Sequence, residues 1–220
     1  MLTPTTSLTP HLPQGQSPSS EIQVANPAPA CVPHPSPITS RVTLGAGCYW
    51  GTDKFIVKDF QKRFPGSVKN ASVGFMSPDP DAMKDPSYRA VCSGSTGHVE
   101  VLDLELTDPQ AHYEELIRFF YMFHDPTTKN RQGNDTGSQY SSYIFTYDSE
   151  QSKIANRVTR ELQDHISRGT LNTFESESVK TKIGDGTVYY KAMQEHQDYL
   201  ASNPNGYCNH YFRFKLWPAL

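Results

Sequence analysis

Cysteine is scarce in this chain, and none of it is arranged in motif pairs. Four cysteines in 220 residues, at positions 31, 48, 92 and 208, are too few and too scattered for a disulfide-stapled secreted scaffold. No two stand in C-x-x-C spacing, which argues against a zinc ribbon. No run approaches the ~20 apolar residues of a membrane span. Charge of one sign is also lacking: a net charge of −3 offers no surface suited to nucleic acid or membrane. Residues 1–40 contain no aromatic residue and one charge, Glu21, while nine of the 17 prolines fall there. Such a stretch has too little apolar area to offset its ordering entropy, so it is expected to be a disordered Pro/Ser/Thr-rich tail. It has no Arg or Lys before Arg41, unlike a mitochondrial transit peptide, and no apolar core like that of a secretory signal. A reducing, cytoplasmic setting is the expectation.

What remains is enough for one core, since 36% of the chain is hydrophobic. Residues 41–47 read as a short strand ending in small residues, and 48–60 carry Tyr49, Phe55, Ile56 and Phe60 at near-helical spacing. Val68–Met76 reads as a strand, followed by a Pro/Asp loop over 77–85. Residues 98–106 alternate clearly, and Tyr113, Leu116, Ile117, Phe120 and His124 mark a helix. After a polar stretch, 125–139, comes a strand at 141–147. Asp148 is placed to cap a helix striped by Ile154, Val158, Leu162 and Ile166 and ended by Gly169. A strand near 178–183 and a short helix near 190–201 precede an irregular tail. The order predicts a single α/β (α+β) domain with a mixed sheet flanked by helices.

The turn Gly45-Ala-Gly-Cys-Tyr-Trp-Gly51 carries the most chemistry. Its glycines are spaced G-x-G-x-x-x-G, and the bulky rings between them would keep backbone amides from a pyrophosphate, so a dinucleotide site is discounted. The turn does put a cysteine at the first position of a helix, where free N–H groups favour a thiolate and draw its pKa from ~8.5 toward neutrality. A buried structural cysteine among core aromatics is the competing reading, and spacing alone leaves both open. Glu100 shares a strand face with Leu102, Leu104 and Leu106. If those leucines face the core, Glu100 is an inward carboxylate whose pKa desolvation raises, able to donate a proton near neutral pH. The alternative is a carboxylate at the sheet rim. Residues 124–140 are dense in hydrogen-bonding groups and long for a connector, which suggests function, while His124 is read as capping the preceding helix.

Three motifs together, Gly47-Cys-Tyr-Trp-Gly51, Thr96-Gly-His-Val-Glu100 and His124-Asp-Pro-Thr through Asn130-Arg-Gln-Gly-Asn-Asp-Thr-Gly-Ser-Gln-Tyr140, resemble the type A peptide methionine sulfoxide reductases. The resemblance runs from about Val42 to Cys208. It implies a ferredoxin-like core, with residues 41–208 as the catalytic domain and 209–220 as a C-terminal tail. It implies thiol-dependent reduction of methionine S-sulfoxide, free or in proteins, and hence repair of oxidised proteins. Carried over by residue, Cys48 corresponds to the nucleophile and Glu100 to the acid. Tyr49 and Trp50 correspond to the pocket for the sulfoxide methyl group, although the family more often has Phe-Trp. Tyr88 and Tyr140 match hydroxyls that bond the sulfoxide oxygen, Asp135 a carboxylate that orders the site, and Cys208 a resolving cysteine. No bound cofactor or metal is implied. Thioredoxin, or dithiothreitol in vitro, is the implied reductant of a Cys48–Cys208 disulfide, with a monomer expected and no nucleic-acid or membrane partner.

The chemistry is consistent with that reading. A sulfoxide sulfur is attacked when its oxygen is protonated, so a thiolate beside a neutral acid is the required pair. Two departures stand out. Ser141 follows Tyr140 where the family usually has Arg, and residues 209–220 lack the further cysteine of many relatives. Cys92 reads as structural and Cys31 as a bystander. Two readings from other classes remain: a cysteine hydrolase using His98, His124 or His196 as base, and a non-catalytic thiol sensor switching through Cys48 and Cys208.

Overall fold

The computed structural model describes residues 1–2 and 37–219. The expectation of a disordered tail falls mostly outside them, as does Cys31. The anchored chain begins slightly before the composition changes: Thr39 N donates to Asp148 Oδ2 at 2.7 Å, and Ser40 O accepts from Leu106 N at 2.8 Å.

Strand β1 (Arg41–Ala46) leads into α1 (Tyr49–Asp53), which continues through a π-helical stretch, Lys54–Phe60, to α2 (Gln61–Arg63). The π-helical stretch explains the imperfect helical spacing. Its i→i+5 bonding sets Phe55 and Phe60, five residues apart, on the same buried side. Strand β2 (Val68–Met76) follows, then an unexpected α3 (Tyr88–Cys92), whose five residues are too few to show a period. Its N-cap is Ser87, whose hydroxyl accepts from Ala90 N at 3.2 Å.

Strand β3 (Val99–Leu106) and α4 (Pro109–Phe123) lie where the pattern put them. Pro109 opens the helix, and the Asp108 carboxylate accepts from Ala111 N at 3.0 Å. The polar connector folds into a hairpin, β4 (Arg131–Gln132) with β5 (Asp135–Thr136), and a 3-10 turn at Ser138–Tyr140. Strand β6 (Ser142–Thr146) precedes α5 (Ser149–Ser167). Asp148 caps α5 as expected, accepting from Gln151 N at 2.8 Å, and Gly169 leaves the helix at φ +71.

The C-terminal third departs most from expectation. The strand expected near 178–183 is β7 (Lys182–Asp185), and the residues where a helix was expected begin with β8 (Tyr189–Lys191). Helix there is reduced to a 3-10 turn at Gln194–His196 and to α6 (Tyr199–Ser202). The reason is tertiary. Residues 189–191 pair with Gly74–Met76 at the edge of β2, and Gly74, with no side chain, admits the Tyr190 backbone.

The sheet order is β7-β6-β1-β3-β2-β8, antiparallel throughout except for the parallel β6–β7 pair. Its inner four strands come from two interlocked units, β1–α1–β2 around β3 and β3–α4–β6 around β1, which is the ferredoxin-like arrangement. Leu102, Leu104 and Leu106 belong to the main core, where burial of each side chain contributes about 2 kcal/mol. Val99 and Val101 face the other side of the sheet with Met76, Tyr143 and Phe145, a second apolar cluster that explains why the alternation blurs at Val101. No described helix is long and apolar enough to cross a membrane.

Candidate active site

The ends of β1 and β2 and the starts of β3 and β6 meet at one edge of the sheet, because these neighbours are antiparallel. Leu44 pairs with Leu102, so the same register carried two residues further sets Ala46 level with Glu100, just before Cys48. Gly45 is needed there, since a Cβ would collide with Val99. Cys48 is the N-cap residue of α1, one position earlier than the sequence reading put it. The helix start divides its free amides. Tyr49 N donates to Glu100 Oε2 at 3.1 Å, while the amides of Trp50 and Gly51 face the Cys48 sulfur.

Both reactive groups are buried, Cys48 at 8% exposure and Glu100 at 3%. Glu100 lies on the leucine face as expected, and desolvation pushes its pKa up to about 8 despite the Tyr49 amide, leaving a neutral acid near pH 7. The expectation for Cys48 is corrected. Burial, with Glu100 beside it, raises the thiol well above its usual range, and the Trp50 and Gly51 amides only oppose this. The helix start acts in the predicted direction, but desolvation outweighs it. At rest the pair is a thiol beside a carboxylic acid.

The other expected site residues converge here. Tyr88 and Tyr140 are within electrostatic range of Glu100, and burial raises both hydroxyls above their usual pKa, so they remain proton donors. Tyr49 and Trp50 are in ring contact at 6.4 Å. His196, considered in the sequence only as a base, packs between these walls, 4.4 Å from Tyr88, 5.7 Å from Tyr49 and 5.8 Å from Trp50. Tyr199 stacks on Trp50 at 3.8 Å. Burial lowers the His196 pKa, so the ring is neutral.

Asp135 ties the C-terminal segment over this edge, accepting from Tyr207 Oη at 3.0 Å and Asn209 Nδ2 at 2.7 Å. Two residues that the sequence reading missed complete the support. Gln132 Nε2 approaches Ala46 O at 3.4 Å, and His210, neutral with its pKa lowered by burial to about 4, donates from Nε2 to the same oxygen at 2.6 Å. Gly51 leaves room for the His210 ring, and Gly47, at φ +94, for Gln132. These packing needs, with no phosphate involved, account for the glycine spacing. No signal in the sequence pointed to either contact, because both cross more than 80 residues.

Cys208 is exposed and is not brought against Cys48 in this conformation. It lines a cavity of about 660 Å³ with Asp53, Lys54, Asp198 and His210. Burial, with Asp198 opposite, raises Asp53 to about 7. Ser141 is not a simple loss relative to Arg. Its hydroxyl lies 2.9 Å from Asn130 Oδ1 and 2.7 Å from Ser138 O, bracing the turn that carries Tyr140. His124 caps α4 as expected, with Nδ1 2.7 Å from Phe120 O and Nε2 2.8 Å from Ser142 Oγ. His98 turns to Thr96 O at 3.1 Å. Among the described residues no histidine hydrogen-bonds Cys48, as a hydrolase would need, and no three His, Cys, Asp or Glu side chains form a metal site.

A family model described as "Peptide methionine sulfoxide reductase" matches residues 40–217. Among curated relatives, the "Peptide methionine sulfoxide reductase MsrA" of Polynucleobacter asymbioticus is 37% identical over 173 residues, 78% of this chain and 83% of the relative. The "Probable peptide methionine sulfoxide reductase" of Schizosaccharomyces pombe is 35% identical over 176 residues, 79% of this chain and 96% of the relative. The structure of Mxr1 from Saccharomyces cerevisiae in reduced form superposes with a TM-score of 0.67 at 32% identity, covering 80% of this chain and 93% of that one. A buried thiol beside a neutral carboxylic acid, on this fold and with these relatives, makes the chain a member of the peptide methionine sulfoxide reductase family, an oxidoreductase that returns methionine sulfoxide to methionine.

Proposed function

We propose that Cys48 attacks the sulfur of methionine S-sulfoxide, in proteins or free, with Glu100 supplying the proton to its oxygen. The observation that carries this reading is the 3.1 Å bond from Tyr49 N to Glu100, which fixes the acid at the helix start that holds the thiol. Tyr49 and Trp50 wall the methyl group, and the Tyr88 and Tyr140 hydroxyls bond the sulfoxide oxygen. As the Glu100 proton moves to that oxygen, the substrate sulfur gains positive charge and the thiol becomes easier to ionise. The Glu100 carboxylate then takes the thiol proton. Cys48 Sγ bonds to the substrate sulfur, the S–O bond breaks and its hydroxyl passes to Sγ. The new S–S bond then breaks, leaving Cys48 as a sulfenic acid and releasing the sulfide. The Cys208 thiol condenses with that sulfenic acid, releasing water and forming a disulfide. A dithiol protein of the thioredoxin class reduces the disulfide and is itself oxidised. Cys208 suits this role because it is exposed and lies in an irregular Asn/Pro/Gly segment outside helix and strand. Asp135 holds the chain on either side of it, through Tyr207 and Asn209. The same reading makes residues 41–208, with the C-terminal segment docked on them, the catalytic unit of a cytoplasmic monomer.

Dithiothreitol-dependent turnover of a sulfoxide substrate tests the reaction, since a hydrolase needs no reductant and a sensor turns over nothing. Cys208→Ser is expected to release one equivalent of methionine and then stall when thioredoxin is the only reductant. A stall in Cys92→Ser instead would reassign the resolving thiol, and a stall in neither would mean a one-cysteine enzyme.

A further inference from the structure

The substrate wall contains complementary polar atoms that the reaction above does not use. Tyr49 Oη, Trp50 Nε1 and His196 Nδ1 are all buried with no hydrogen-bond partner. Tyr49 is 1% exposed and His196 7%, so these polar atoms have lost water and gained no partner, which is unfavourable. The hydroxyl of Tyr49 stays protonated under burial and is a donor. The His196 ring is neutral, so with its proton on Nε2 the Nδ1 atom is an acceptor.

The freedom of each donor decides between them. The indole N–H of Trp50 is fixed in its ring plane, and that ring, nearly parallel to His196 at 19°, is stacked at 3.8 Å on Tyr199, so it can be re-aimed only by moving the stack. Tyr49 meets His196 at 55° with centroids 5.7 Å apart, and its O–H, unlike the indole N–H, can turn about its own C–O bond without moving the ring. His196 also packs on Tyr88, and Tyr199, from the same segment, stacks on Trp50.

We propose that His196 is a positioning residue, whose Nδ1 takes the Tyr49 hydroxyl when the aromatic wall closes on the methyl sulfoxide. The bond is open in the free protein, forms with substrate bound, and thereby fixes the ring that faces the methyl group. This rests on the reading of Tyr49 and Trp50 as the substrate wall.

Binding can be read without turnover. In a Cys48→Ser background, methionine sulfoxide is titrated while tryptophan fluorescence is followed, for Tyr49→Phe, His196→Phe and the double variant. Each single change is expected to weaken binding about fivefold, equivalent to about 1 kcal/mol, and the double variant no further. His196→Asn, which keeps an acceptor near the Nδ1 position, is expected to recover most of the loss. Should His196→Phe not fold, His196→Gln serves as that corner of the cycle. Without ligand, Tyr49→Phe is expected to leave the Tm unchanged or raise it. Additive losses, a silent Tyr49→Phe, or a lower Tm of ligand-free Tyr49→Phe would overturn the pairing. Wild-type sulfoxide turnover tests the underlying chemistry separately. Turnover with additive losses sinks the pairing alone, and coupled binding without turnover sinks the chemistry alone.

Discussion

The turn that carries Cys48 and the segment that carries Cys208 reach the same edge of the sheet by different means. Cys48 sits at a strand-to-helix junction whose backbone is regular on both sides, so its position follows from the register of β1 against β3 and from the helix axis. Cys208 sits in irregular backbone between α6 and the chain end, and it is held by side chains: Tyr207 and Asn209 on Asp135, His210 on Ala46 O. Further along, Arg213 contacts Asp125 at 3.3 Å, a pair whose side chains are 7% and 0% exposed. A buried nucleophile needs a fixed position against its acid, which regular structure supplies. If Cys208 resolves the sulfenic acid as proposed, it has to travel to Cys48, and side-chain anchors can be released one at a time.

The largest expected effect is on the rigid side. Cys48→Ser should lose all sulfoxide reduction with an unchanged melting profile, since a hydroxyl at this site is a poor nucleophile toward sulfur. Measurable turnover by a well-folded serine variant would remove the proposed nucleophile and with it the contrast between the two thiols.

Glu100→Gln comes next, with methionine release in a single turnover slowed by about 10²–10⁴-fold, the usual contribution of a general acid. The wild-type first step should fall as pH rises through about 8, where the acid loses its proton, and the glutamine variant should lack that limb. Stability carries the same signature. Between the ordinary glutamate pKa of 4.5 and about 8, the folded chain holds a proton that the unfolded chain has lost, so this group makes stability fall as pH rises. Melting curves from pH 5 to 8 should slope less downward for Glu100→Gln than for wild type. Parallel slopes would mean that Glu100 is not the neutral buried acid described here.

Arg213→Ala probes the side-chain-anchored region. It leaves Asp125 buried without its cation, so a loss of roughly 3 kcal/mol in urea unfolding is expected, with partial recovery in Arg213→Lys. Single-turnover methionine release should change little beside the Glu100→Gln effect, because the anchor lies outside the Cys48–Glu100 pair. A first step slowed as much as in Glu100→Gln would show that the two regions are not separable.

The sequence by itself determined the elements whose periods are long enough to read: β1, β3, α4 and α5 with its Asp148 cap. It also put Glu100 on the leucine face, because a strand alternates strictly. The three motifs made the family legible. Short pieces escaped, among them α3, the β4–β5 hairpin and β8, since two to five residues cannot display a period and β8 exists only by pairing with β2. Only the tertiary structure decided the protonation of Cys48. A helix start taken alone favours a thiolate, but the folded core removes water from Cys48 and sets a carboxyl beside it, and that desolvation is larger than the pull of two amides. Tertiary structure also brought in Gln132, His196 and His210, whose contacts depend on chain closure over many residues and leave no local trace.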